Sequence, residues 1–445
     1  MKKRHWRQSR AAWIVGFGAL AAAGCQPQPH ISSQPHIDPT HSELDAAPRH
    51  IPPPNLKRNI SLPDLNTVAA DKRVQEIAKA NADFGWRLLK PLAKEAPNAN
   101  VFYSPFSVTQ ALSMTMNGAG GDTQTAMMKT LGLKDVKIGD VNAANRSLLP
   151  SLTGVDPQIK INVANAVWVD KHTTLKPLFQ QTCLASYQGR AVSLDLASSD
   201  GAQRINSWVS EQTKGEIHGI VAPSDLDDAR LVLTNAVYFH GMWMHEFDKS
   251  ETQNGRFHLS KGREKTLPLM SDDITVDYRE TDQFQAASLP YGDGRFRLDI
   301  VLPKRVDGLD AVVKSLDAKR WSNLTSRMNP QNISVTLPRF QVSYAADLTD
   351  PLTSLGMGSA FHAGADFTPM CLEPVHIDKV MHKAILQVDE EGTTAAAVTA
   401  APMAGGVSAD PAIVFRVDHP FVCAIRDNTT GTLLFVGVIR DPEKL

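Results

Sequence analysis

The chain has 445 residues, 42% of them hydrophobic and 21% charged, and a formal net charge of −1. That length can bury a large core, and the balanced charge leaves no basic field for nucleic acid and no acidic excess to advertise a partner. The four cysteines (Cys25, Cys183, Cys371, Cys423) are too few for a disulfide scaffold, and the three after Cys25 read as free thiols.

The N-terminus reads as a targeting segment. Lys2, Lys3, Arg4, Arg7 and Arg10 form a basic region, followed by an apolar run from Ala11 to Ala23 that is too short for a comfortable membrane span. The run ends in Leu20-Ala-Ala-Ala-Gly-Cys25, which resembles the lipobox of bacterial lipoproteins, although Ala22 stands where a large aliphatic is preferred. The resemblance implies a signal peptide over 1–24, a lipidated (palmitate-bearing) Cys25 as membrane anchor, and a cell-envelope location. Gln26 lacks the aspartate that signals inner-membrane retention, which favours the outer membrane or surface; plain secretion is the other reading. Residues 25–66 are rich in proline, serine, glutamine and histidine and read as a disordered tether. His30, His36, His41 and His50 are irregularly spaced with no acid or cysteine cluster beside them, so a solvated linker outweighs a metal site.

From Thr67 the pattern turns helical: Val74, Ile77, Phe84 and Leu88 share one face, and Pro91 and Pro97 are expected to close the element. Helices follow over 107–116 and 123–131, parted by Asn117-Gly-Ala-Gly-Gly121. That glycine cluster lacks the Lys-Ser/Thr of a phosphate cradle and reads as a helix–helix turn. Beyond Lys160 β-rich runs dominate, at 161–169, 231–239, 296–302, 333–337, 385–389, 413–417, 421–425 and 433–439. Helices are expected at 202–213, 309–316 and 348–355. Length alone suggests two or three domains, but no linker follows residue 67. The reading is one large α+β domain with antiparallel or mixed sheets.

Enzyme chemistry finds little support: there is no G-x-S-x-G elbow, H-E-x-x-H or Walker loop. His240 and His245 flank Trp243, and His376 and His382 flank a strand start, at spacings that place no two imidazoles on one helical turn. No metal and no cofactor are expected. The acids Asp389, Glu390 and Glu391 read as charges that keep a strand end soluble. After them Gly392 to Ala400 is almost wholly small and uncharged, suited both to a loop and to a strand slipped into a packed sheet.

Several short segments, in order, resemble the serpin family. The strongest is Phe415-Arg-Val-Asp-His-Pro-Phe-Val-Cys-Ala-Ile425, similar to the family's C-terminal signature. Next is Glu390-Glu-Gly-Thr-Thr-Ala-Ala-Ala-Val-Thr399, which looks like the hinge of the reactive-centre loop. Tyr103-Ser-Pro-Phe-Ser107, Asn165-Ala-Val-Trp168, Ile205-Asn-Ser-Trp-Val209, Thr234-Asn-Ala-Val-Tyr-Phe239, Trp243, Leu289-Pro-Tyr291, Leu337-Pro-Arg-Phe340 and His382-Lys-Ala384 agree with it. The resemblance covers 67–442 and implies one serpin domain, monomeric, with helices packed on three mainly antiparallel or mixed sheets and an exposed reactive-centre loop.

It further implies a suicide-substrate inhibitor with no catalysis of its own. A target protease's serine attacks a loop carbonyl, and the cleaved loop inserts as a strand into the main sheet with the acyl-enzyme attached. The hinge would be Glu391, Gly392, Thr393, Thr394, Ala395, Ala396 and Ala397. Alternation turns Thr393, Ala395, Ala397 and Thr399 inward, all small and uncharged. Ser104, Ser107, Asn235 and His382 correspond to the polar cluster where the sheet parts, and with Trp243 they are the implied shutter and breach residues. Trp208, Phe239, Phe340, Phe421 and Cys423 read as core. Pro402 would remove a ladder donor from an inserted strand. Counting from the hinge puts the scissile bond at Gly406–Val407; counting back from the signature puts it near Ala409–Asp410, and Met403 is a third candidate. No Lys or Arg lies between Gly392 and Phe415, which points to elastase-like or subtilisin-like serine proteases. Two other readings are a non-inhibitory serpin acting as a surface binding or chaperone-like module, and a hydrolase of unfamiliar arrangement, which no nucleophile–base motif supports.

Overall fold

The apolar stripe Val74, Ile77, Phe84 and Leu88 is the buried face of a helix, Lys72–Glu95, in the computed structural model, which describes residues 64–154, 156–393 and 413–445. The chain divides into two units, Met1–Asn59 and Ile60–Leu445, and the described residues lie in the second. Among the described residues helical structure starts at Leu65, with the short helix Leu65–Ala70. Pro91 does not close the long helix, contrary to expectation: the helix passes through it and ends at Glu95. A proline there deletes one backbone hydrogen bond, at a cost of about 3 kcal/mol, and burial of Leu88, Leu89 and Leu92 around it offsets that cost.

Helices Pro105–Met116 and Gly121–Thr130 flank the glycine turn as expected. Ile138–Leu152 and Pro177–Tyr187 add helices whose weak periodicity gave no signal, and the short helix Ala318–Thr325 adds another, while Gly201–Gln212 and Leu309–Ser315 stand within a residue of expectation. The region near 348–355 is a single turn, Thr349–Leu352, followed by an irregular stretch with Gly356 at φ 106°.

The described strands form two hydrogen-bonded sheets rather than three. The larger runs Val101–Tyr103, Leu433–Ile439, Phe421–Asp427, Phe296–Pro303, Phe284–Tyr291, Glu264–Glu280, Asn329–Pro338, Ile413–Arg416, with Gln253–His258 also on Glu264–Glu280. Two expected sheets merge because Glu264–Glu280 is 17 residues long. It pairs with Gln253–His258 at its start, Asn329–Pro338 along its middle and Phe284–Tyr291 at its end.

The smaller sheet runs Glu443–Lys444, Phe340–Asp347, Lys379–Val388, Leu231–Met242, Ile159–Asp170, Arg190–Leu194, with Gly392–Thr393 on Leu231–Met242. It is buried on both faces, so Leu231–Met242 is apolar on both sides apart from Thr234, Asn235 and His240. Its residues alternate: Leu231, Leu233, Val237 and Phe239 join the main core, while Val232, Ala236 and Tyr238 join a second core under the helix Gly201–Gln212. Phe239, Phe340, Phe421 and Cys423 are buried as expected, and burial pushes the Cys423 thiol up to about 12. Trp208 is only half-buried and sets its edge against Trp168, with ring centroids 5.4 Å apart. Cys183, Cys371 and Cys423 are free thiols.

Candidate functional site

Leu231–Met242 and Lys379–Val388 run parallel and pair directly, from Val232 with Lys379 to Tyr238 with Ile385. A parallel pair with no strand between it is a seam: a third strand can enter only antiparallel to both, by displacing these hydrogen bonds. The chain leaves the top of Lys379–Val388, turns at Asp389–Glu391, and lays Gly392 and Thr393 antiparallel against Met242 and Gly241. The first two residues of the expected loop thus already occupy the mouth of the seam, in the direction an inserted strand needs.

Midway along the seam sits a row of polar side chains. Asn165, Asn235 and His382 are register partners on three adjacent strands. By alternation Asn235 shares its face with Leu233 and Val237, so it points into the main core, beneath the start of the helix Pro105–Met116. Ser104 caps that helix through its Oγ, accepting from the Ser107 N–H at 3.0 Å. The Ser104 N–H donates to His382 Nε2 at 3.3 Å, which assigns the ring proton to Nδ1, and Nδ1 donates to Asn235 Oδ1 at 2.5 Å. The Asn235 amide then donates to Ser107 Oγ and Asn165 Oδ1. Ser104, Ser107, Asn235 and His382 are wholly buried, and burial lowers the His382 imidazole to about 3, so it is neutral. The four residues expected to cluster do so. Asn165 completes the group, and its signal was readable: it is the one polar residue on the otherwise apolar face of Ile161, Val163, Val167 and Val169.

Trp243 belongs to the hinge rather than to this row. Its ring stacks on Tyr291 (4.4 Å between centroids, 7° between planes), its N–H donates to the Glu391 carbonyl at 3.0 Å, and its indole N–H donates to the Asp389 carbonyl at 2.9 Å. Asp389 closes the turn by accepting the backbone N–H groups of Glu391 and Gly392 at 3.0 and 3.1 Å. Gly392 has φ 148°, and a Cβ there would stand 2.6 Å from Met242 Cα and 2.9 Å from Trp243 N, so only glycine fits.

The acids do not act as solvating charges. Glu390 and Glu391 are buried because the preceding strand and the Gly392 pairing fold their side chains beneath the segment 247–252. Glu390 accepts from Thr252 Oγ1 at 2.8 Å and lies 3.6 Å from Arg339; its carbonyl accepts from the Phe247 N–H at 2.9 Å. Glu391 pairs with Lys249. Burial raises the carboxyls of Asp389 and Glu246; the Glu391 charge adds to the rise at Glu246, while the Glu391 and Gly392 N–H bonds oppose it at Asp389. Lys249, Thr252 and Arg339 carried no local signal, since their partners lie far away in sequence. Thr394, Ala395, Ala396, Ala397, Pro402, Met403, Gly406, Val407, Ala409 and Cys25 lie outside the described residues, as does the Thr393 side chain.

The family described as "Serpin (serine protease inhibitor)" matches residues 79–442. Serpin B6 of Macaca fascicularis is 37% identical over 378 residues, covering 82% of this chain and 99% of that protein. Leukocyte elastase inhibitor of Sus scrofa is 32% identical over 381 residues, covering 83% and 100%. Human thyroxine-binding globulin, solved in complex with its hormone, superposes with a TM-score of 0.78 at 25% identity, over 84% of this chain and 100% of that one.

Proposed function

The chain belongs to the serpin family, and we propose from that premise that it inhibits serine proteases as a suicide substrate. The observation that carries the reading is the seam with Gly392 and Thr393 at its mouth: one parallel strand pair with nothing between, and a hinge already antiparallel to it. The names of the relatives, an elastase inhibitor among them, support the same reading.

In the proposed reaction the protease serine adds to the Gly406 carbonyl. The Gly406–Val407 amide breaks, Val407 leaves as a new amino terminus, and Gly406 stays esterified to the enzyme. Zipping of 394 onward between the two strands then carries the esterified protease along, driven by the hydrogen bonds and burial that a six-stranded path gains as a seventh strand. A small residue at each candidate bond except Met403 favours elastase-like and subtilisin-like targets.

Mixing the protein with pancreatic elastase or with subtilisin should give an SDS-stable complex, and mass spectrometry of the released C-terminal peptide should begin at Val407. A peptide beginning at Ala404 or Asp410 would move the bond to Met403 or Ala409. Clean cleavage by both proteases without a complex, and without a rise in unfolding temperature, would sink inhibition and favour a non-inhibitory binding role, the class to which thyroxine-binding globulin's name points for that relative. We propose in addition that the protein is exported and anchored through Cys25; labelling with a palmitate analogue, abolished by Cys25→Ala, tests this.

A further inference from the structure

A second cavity shares no residue with the seam or the hinge. The hairpin of Gln253–His258 and Glu264–Glu280 turns at Ser260–Gly262, and beside this turn lies a cleft of about 660 Å³. Its other walls are Pro97 and Asn98 after the long helix, residues 306–310, Pro420, and Arg440 at the end of the strand Leu433–Ile439. The volume is that of a small-molecule site. Leu259, Leu309 and Pro420 are buried and give an apolar floor, while Val306 stands 43% exposed at the mouth.

The lining itself carries three acids and three bases, but partners just outside it leave the charges around this floor uncancelled. Each of its three acids has a basic partner: Glu264 lies 3.1 Å from His258 and 3.6 Å from Arg256, Asp307 is 3.0 Å from Arg305, and Asp310 is 2.6 Å from Arg440. Lys261 and Arg263, both exposed on the turn, have no ion pair among the described residues. The Arg440 side chain is 11% exposed and holds Asp310, and its Nε–H is buried with no acceptor among the described residues. With Arg256 and Arg305, which stand outside the lining, assigned to Glu264 and Asp307, the surplus is one ammonium and one guanidinium, Lys261 and Arg263, beside an apolar floor. A cation would be repelled here.

We propose that this cleft binds an amphipathic monoanion, a carboxylate on an apolar body of fatty-acid size. The body lies over Leu259, Leu309 and Pro420, and the head is met by Lys261 and Arg263 on the turn, with the Arg440 guanidinium in the wall beside them. Guanidinium and ammonium groups beside an apolar surface select an anionic head by charge-assisted hydrogen bonds, while burial of the tail supplies the affinity.

Isothermal titration of the full chain with sodium dodecanoate, below its micelle concentration, tests this. The expected result is one saturable site, no heat from acetate, and at least tenfold weaker binding of dodecyltrimethylammonium. The double variant Lys261→Glu/Arg263→Glu should weaken dodecanoate at least tenfold with an unchanged unfolding midpoint, since both side chains are exposed and neither has an ion pair among the described residues. Val306→Glu, at the exposed mouth, should weaken it similarly. No saturable heat with dodecanoate, equal binding of the cationic detergent, or undiminished binding by both variants would each overturn the proposal.

Discussion

At Asn235 the strand Leu231–Met242 is tied to its neighbours by neutral hydrogen bonds with no access to water, whereas seven residues on, at Met242, it carries the hinge beneath a cover of charged side chains. The middle of the seam is closed by register: Asn165, Asn235 and His382 face one another across three strands, and nothing can pass without breaking their bonds. The top is already parted, and two loop residues sit in it. A sheet that must open in one direction needs this asymmetry, with the weak point where the incoming strand begins and the strong point further along its path.

The largest effect should come from the middle. Asn235→Ala strands the His382 Nδ1–H and Ser107 Oγ in a dry core, and we expect a loss of about 3 kcal/mol in guanidinium unfolding. An equal loss from Lys249→Gln at the hinge would erase the distinction between the two regions.

Acid should separate them next. The His382 imidazole is lowered to about 3 when folded, against 6.5 for an ordinary imidazole, so between these values the unfolded chain binds the extra proton. Its contribution is complete above pH 6.5 and is lost as pH falls, at up to ~1.4 kcal/mol per pH unit. At the hinge the sign reverses: the raised carboxyls of Asp389 and Glu246 take up protons more readily folded than unfolded, so falling pH relieves that site. Unfolding midpoints from pH 7.5 to 4.5 should fall in the wild type and fall less steeply in His382→Gln. An identical slope in both would remove His382 from the account.

Gly392→Val should act more locally. The added carbons meet Met242 and Trp243 backbone, and φ 148° is poor for a branched residue, so the hinge pair should leave its place at a cost of roughly 2 kcal/mol. Amide exchange at Trp243, whose N–H is held by Glu391, should quicken by at least tenfold while Asn235 stays protected. Unchanged exchange at Trp243 would mean the seating of the hinge does not depend on this glycine.

Much of this was legible in the residues. Both ends of Leu433–Ile439 and the start of Leu231–Met242 follow from apolar runs and turn residues, and the polar residues of the seam announced themselves by the family's motifs. Lys379–Val388 was read six residues short because Lys379, His382 and Lys383 broke its apolar pattern; its alternation is geometric, and His382 is buried as a bonded polar group. The 17-residue strand Glu264–Glu280 escaped notice for a similar reason, since Asp272, Asp273 and Asp277 lie within it. Charge was also what misdirected the reading of Glu390 and Glu391. A local sequence shows the acids but not the distant Lys249, Thr252 and Arg339 that let them be buried.

The smallest effect tests that last point. The Lys249 side chain is 66% exposed while Glu391 is 11% exposed, so the pair lies at the water boundary and is screened. Lys249→Gln should leave the unfolding midpoint where it is, because Glu391 keeps its backbone bond to Trp243 and Glu390 keeps Thr252 and Arg339. Exchange at Trp243 should still rise, by roughly two- to fivefold at low salt, and the difference should vanish near 0.5 M NaCl, where screening acts within about 4 Å. A salt-insensitive rise would mean that Lys249 works by packing its stem on the hinge rather than by its charge.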